Sequence, residues 1–188
     1  MTHARREEIL EAALRVFADR GYRGTSIDAV AECVGLTRQG VLHYFPSKKK
    51  LFLALLRFRE DLNREHLVGR DDQDDWPGLF AEVVAYDHTY PCLAQVHSVM
   101  LADGMTGVDP AQHYLHDHYE SLQEQMVKRL TERYGDRLPS GLAPRAAARA
   151  MLAMLDGMQQ QWLLDGEQDD YPEIMRDVLS VLLGSTPV

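Results

Sequence analysis

Apolar residues recur three and four positions apart along almost the whole chain, the spacing that lines one face of an α-helix. Ile9, Ala13, Val16 and Phe17 share such a face in a helix predicted over Ala4–Arg20, and Ile27, Val30, Ala31 and Val34 repeat the pattern before Gly35. A short helix over Arg38–Phe45 stops at Pro46, which disfavours helical geometry at the residue before it. Leu51, Leu55, Phe58 and Leu62 define a fourth helix over Lys48–Leu67. Proline suits the first helical position, so Pro77, Pro91, Pro110, Pro144 and Pro172 mark five further starts. The helices they open are predicted to run to Thr89, near Gly104, before Gly135, to Leu164 and before Gly184. Between them lie an acidic loop, Gly69–Gly78, and a Gly/Pro-rich loop, Gly135–Pro144. No alternation of strand type, internal repeat or low-complexity tract interrupts the series, so the chain is predicted to be all-α with about nine helices.

The second and third helices carry the most informative local chemistry. Thr25 followed by Asp28 resembles a capping box, Thr37 stands where the next helix needs an N-cap, and Ser47 is placed to cap the fourth. Gly35 accepts positive φ and so closes the second helix cheaply, with Leu36 as an apolar anchor after it. Two helices joined by a short glycine-containing turn can lay the second helix in the major groove of DNA. Arg38, Gln39, His43 and Tyr44 would then face bases or phosphates. Arginine pairs bidentately with guanine and glutamine with adenine, whereas Lys48, at a helix N-terminus, suits a phosphate. An ordinary helical hairpin has the same outline, so the turn alone does not decide.

Charge separates the two readings further. Residues 1–50 carry nine Lys/Arg against six Asp/Glu, a net of +3, while residues 51–188 carry 11 against 23, a net of −12. An acidic chain is repelled from nucleic acid as a whole, so a positive balance confined to one end points to a local DNA contact.

Residues 5–56 resemble the tetracycline-repressor (TetR) type of transcriptional regulator. The likeness runs through FADRGYRGTS, the helix-turn-helix, and the aromatic-rich LHYFPSKKKL. It implies a three-helix DNA-binding head with Thr25 and Lys48 on phosphates, and Arg38, Gln39 and Tyr44 in the groove with Thr37 at the recognition-helix start. It also implies a small-molecule effector held among the later helices, whose candidate lining is Tyr86, Tyr90, His97, Met100, Met105, Tyr114, Tyr119, Met154 and Gln159. Such Met-rich and aromatic linings adapt to an apolar or aromatic ligand, although each of these residues also suits plain core. The expected division is a DNA-binding domain over residues 1–50 and an effector-binding and dimerisation domain over 51–188.

The last two helices are apolar over more than one face. Met151, Leu155, Met158 and Trp162 in one, with Ile174, Val178 and Leu182 in the other, predict a two-fold four-helix interface in a homodimer. An intramolecular core is the alternative. A dimer places two recognition helices roughly 34–36 Å apart and so calls for a near-palindromic operator.

Length and 45% hydrophobic content suffice for one domain or two small ones. Neither a membrane-spanning run nor a signal-like start is visible, and two cysteines, Cys33 and Cys92, lack metal-like spacing, which predicts a cytoplasmic protein with reduced thiols. Cys33 is expected in the core. His113 and His116 share a helix face with Asp117 beside them, but His118 points elsewhere and no distant ligand is identifiable, so no metal or other cofactor is expected. The competing class is a small helical enzyme or metal-binding bundle without DNA binding. It would need a nucleophile–base pair or Glu-x-x-His ligands, and the chain contains no Glu-x-x-His, GxSxG, HExxH or phosphate loop.

Overall fold

The structure is a computed structural model, and it describes residues 2–67, 75–165 and 169–184. Among these residues it contains nine helices: α1 (Thr2–Gly24), α2 (Ile27–Cys33), α3 (Arg38–Tyr44), α4 (Lys48–Leu67), α5 (Trp76–Thr89), α6 (Pro91–Met105), α7 (Ala111–Tyr134), α8 (Pro144–Asp165) and α9 (Tyr171–Leu183). The acidic segment expected to break the pattern after α4 lies, over residues 69–74, outside the described residues. Asp75 is described, and its carboxylate accepts from the Gly78 N–H at 2.9 Å, which starts α5 at Trp76 rather than Pro77. Within α1 the backbone breaks at Gly21, whose φ of 65° and ψ of −177° are non-helical, so the first continuous helix ends at Arg20 as expected and a short turn follows to Gly24.

The helices pack as two compact units. One comprises the residues up to His66 together with Tyr90–Leu115, and the other comprises Leu67–Thr89 with residues from His116 onward. In the first, α1 packs on both α6 and α2, and α2 on α3. Its core holds Ile9, Leu10, Ala13, Phe17, Val30, Val41, Leu51, Phe52, Leu55, Leu93 and Met100, all essentially removed from water. Burying one such aliphatic or aromatic side chain is worth about 1.5–3 kcal/mol. Phe17, Tyr22 and Phe52 meet stacked, tilted and edge-on at 4.9–6.2 Å between ring centres, tying the end of α1 to the start of α4. In the same unit the buried Arg59 donates its Nε to the Leu93 carbonyl at 3.2 Å. The Tyr114 hydroxyl donates to the Glu60 carboxylate, and its pKa is pushed well above the phenolic range, first by burial and then by that bond.

In the second unit α9 packs on α5 and α8. Met151, Met175, Leu179, Trp162 and Phe80 form its centre, with the Trp162 ring stacked 4.1 Å from His88. Buried Gln159 donates to the buried Asp87 carboxylate. Tyr119 donates to Asp156 at 2.6 Å, joining α7 to α8. Helix α9 ends at Gly184, whose φ of 81° requires glycine doubly: a Cβ there would also come within 2.5 Å of Pro139 Cβ.

Candidate DNA interface

The positive end of the chain folds into a tightly specified head, and each joint has a chemical cause. The Gly35 turn, at φ +61°, closes α2 with the Leu36 N–H on the Ala31 carbonyl at 2.9 Å and the Gly35 N–H on Glu32 at 3.2 Å. Thr37 Oγ1 then accepts the Gly40 N–H at 3.1 Å, starting α3 as expected. Ser47 caps α4 through the Lys50 N–H at 3.1 Å. The cap of α2 is a correction: Ser26, not Thr25, accepts the Ala29 N–H at 3.1 Å. Thr25 instead donates its hydroxyl to the Gly21 carbonyl at 2.7 Å and is only 3% exposed, so the side chain expected on a phosphate lies beneath the surface. Its backbone carbonyl accepts from the Lys48 ammonium at 2.9 Å.

Helix α3 is held from below by fully buried Val41 and by Phe45 just past its end. The 3.6-residue period therefore turns Arg38, Gln39 and His43 outward with Thr37, while Tyr44 is half-buried and touches His43 edge-on at 5.4 Å. Helix α2 supports this face and adds Asp28, whose carboxylate accepts from Arg38 Nη1 at 2.5 Å. Lys48 is half-buried. Its ammonium donates to the Tyr22 carbonyl at 2.8 Å and the Thr25 carbonyl at 2.9 Å, and lies 4.6 Å from the centre of the Tyr22 ring. Two of its three N–H groups thus clamp the end of α1 to the start of α4.

This clamp has further connections within the same unit. The Tyr22 N–H donates to Asp103 of α6 at 2.8 Å, and Lys49 pairs with Asp109 just before α7 at 2.8 Å. The Lys49 ammonium and then His113 hold the Asp109 carboxyl below the usual carboxylate range despite some opposing desolvation. Sequence periodicity gave no sign of Asp103 or Asp109, because each acts through contacts distant in the chain. His113, 3.0 Å from Asp109, is thereby a surface partner of a carboxylate, and His116 is exposed on the same helix.

The remaining expected site residues divide between the units. His97 and Met100 are buried and Tyr114 half-buried in the first, whereas Gln159 is buried, and Tyr86, Tyr119 and Met154 are half-buried, in the second. Tyr90 and Met105 are corrections to the pocket lining: they flank the ends of α6 and are exposed, Met105 by 79%, because the helix turns them away from its packed face. On the expected dimer face, Met151 and Trp162 are buried inside the second unit against its own helices. Leu155, Met158 and Leu182 are half-exposed and Ile174 and Val178 exposed. Val181, which faces solvent at 62%, extends that apolar strip. Cys33 is a further correction: it is exposed at the C-terminal end of α2.

A head in which a buried residue seats one short helix, a glycine turn fixes its angle to another, and its outer face is polar and basic is a helix-turn-helix DNA-binding head. With further helices behind it, the chain has the architecture of an all-helical transcriptional regulator. A family model described as "Bacterial regulatory proteins, tetR family" matches residues 9–55, the stretch that builds this head. This chain resembles that family over its head. It is similar to the HTH-type transcriptional regulator AcrR of Shigella flexneri, 27% identical over 192 residues that span 95% of this chain and 87% of that one. To the HTH-type transcriptional repressor AcnR of Corynebacterium diphtheriae it is 49% identical over 53 residues, 28% of each chain. Among solved structures, AibR in complex with isovaleryl coenzyme A and operator DNA has the same fold, with a TM-score of 0.72 at 20% identity over 96% of this chain and 99% of that one. These relatives are regulators, not enzymes, and no helix among the described residues is long and apolar enough to cross a membrane.

Proposed function

We propose that this regulator is a cytoplasmic repressor that binds a near-palindromic operator as a homodimer and is released by a small apolar or aromatic effector. The observation that carries the DNA contact is the outward row Thr37, Arg38, Gln39 and His43 on a helix anchored by Val41. Residues 1–50 supply the DNA-binding function and residues 51–188 the effector and dimer functions. The packing supports a link between the two, since Asp103 and Asp109, in the later part, grip Tyr22 and Lys49 at the base of the head. Arg38 and Gln39 read base edges, assisted by Tyr44 and His43, and Lys48 contacts phosphate. Dimerisation is supported by the exposed apolar strip of Ile174, Val178 and Val181 beside half-exposed Leu155, Met158 and Leu182. His97, Met100, Tyr86, Tyr114, Tyr119, Met154 and Gln159 remain as the proposed effector contacts.

Repression is the direction supported by AcnR, called a repressor, and effector control by AibR, whose structure holds both a ligand and operator DNA. The test is binding of the full chain to DNA from upstream of its own gene, followed by fluorescence anisotropy as salt is raised. Saturable binding that exceeds binding to scrambled duplex and weakens steeply with salt is expected. Folded protein that prefers no such fragment over scrambled DNA overturns the operator reading. Native mass spectrometry of the purified protein then identifies any co-purified effector.

A further inference from the structure

We infer that Asp28 is a specificity-determining residue: it buttresses Arg38 so that the guanidinium reads a base and is withheld from the DNA backbone. The inference rests on the operator-binding reading above.

Arg38 is the first residue of α3, where the positive end of the helix dipole disfavours a cation. Asp28 lies in the first turn of α2, where the same effect favours an anion, and the turn at Gly35 brings the two within 2.5 Å although they are ten positions apart. Both side chains remain more than half exposed, 54% and 63%, so the pair is on the surface and not part of the packed core. The carboxylate engages one Nη1 hydrogen only. Arginine carries five donors in a planar fork, so the rest of the guanidinium is free to meet guanine O6 and N7 while Asp28 holds its plane.

The same carboxylate acts against the wrong contact. On non-operator DNA a free Arg38 would drop onto the nearest phosphate, which any sequence supplies. Held by Asp28, its charge is neutralised locally, and the carboxylate itself is repelled by phosphate. An acidic residue on the basic head thus lowers binding to all DNA and raises the ratio between operator and other sequences.

The experiment uses the full-length protein and duplexes enriched by it from a random library. Asp28→Asn is expected to bind scrambled duplex more tightly, with a salt slope steeper by about 0.9 per protomer. Its operator-to-scrambled ratio should fall roughly 5- to 10-fold, the lower end of what a bidentate guanine pair discriminates. Asp28→Glu should restore much of the ratio. In an Arg38→Ala background, Asp28→Asn should leave the base preference at that operator position unchanged, which a merely structural role would not predict.

Thermal melting of each variant identifies any that is unfolded, and in that case Asp28→Ser is measured instead. An unchanged ratio in Asp28→Asn overturns the proposal, as does an equal loss of ratio with and without Arg38. Failure of the wild-type protein to enrich any sequence would instead strike the operator reading itself, and is distinguished by the absence of preference before any substitution is made.

Discussion

Replacing Lys48 with alanine removes one ammonium that has two jobs, and they are read by different measurements. In the folded chain its Nζ donates to the Tyr22 and Thr25 carbonyls at 2.8 and 2.9 Å and sits over the Tyr22 ring. Hydrogen bonds from a charged donor contribute about 1.5–3 kcal/mol each when well shielded, and a cation–π contact about 0.5–1 kcal/mol at an exposed site. Lys48 is half-buried, so solvent screening reduces each bond to about 1 kcal/mol, and the total loss is about 2–3 kcal/mol. For a chain of this length, melting should fall by about 2–4 °C per kcal/mol, hence about 5–10 °C, by differential scanning calorimetry. In the proposed contact the third N–H meets phosphate, so the salt slope of DNA binding should flatten by about 0.9 per protomer, equally on operator and scrambled duplex. Unchanged melting would show that the two carbonyl bonds contribute nothing. A lowered affinity with an unchanged slope would show that Lys48 acts on DNA only by holding α1 to α4.

Three further perturbations test other parts of the structure. Thr37→Ala deletes the cap on the Gly40 N–H and should cost about 1 kcal/mol of stability by urea denaturation, with weaker operator binding; no change in either would remove the cap's role. Val178→Glu places a charge in the exposed apolar strip of α9, and sedimentation velocity should show the dimer shifting to monomer at micromolar concentration, whereas a monomeric wild type would end the dimer argument. Tyr114→Phe should cost about 1–3 kcal/mol near neutral pH by leaving Glu60 without this donor. Because the folded-state pKa of Tyr114 is raised, its contribution is fully present below the unfolded phenolic value near 10 and is lost as pH rises beyond it. The gap in stability between wild type and Tyr114→Phe should therefore narrow above about pH 10, and a gap that widens there would contradict the assignment.

Much of this protein follows from local rules that a sequence expresses directly. Apolar spacing and the punctuation by Pro and Gly determined the helices, since period, cap and breaker all act within a few residues. The caps at Thr37 and Ser47, the Gly35 turn, and the outward set Arg38, Gln39 and His43 follow from those rules. The same rules placed the cap of α2 at Thr25, whereas the Gly21 carbonyl draws the Thr25 hydroxyl inward and Ser26 takes the Ala29 N–H.

Tertiary packing decided everything that depends on which side of an apolar helix meets another. Met151, Trp162, Ile174 and Val178 look alike in a periodic pattern, yet the first two pack inside their own unit and the last two face water. The same applies to Cys33, Tyr90 and Met105, which stand at the ends of their own helices and are exposed. Charge partners were the least legible of all. Asp28 with Arg38, Lys49 with Asp109, and the Tyr22 N–H with Asp103 are separated by 10, 60 and 81 positions, and no period or motif couples residues so far apart. Local rules alone yield an all-helical chain with a basic head that resembles a DNA-binding regulator. Only the three-dimensional packing assigned its charges to partners, because a hydrogen bond acts over about 3 Å in space whatever the distance along the chain.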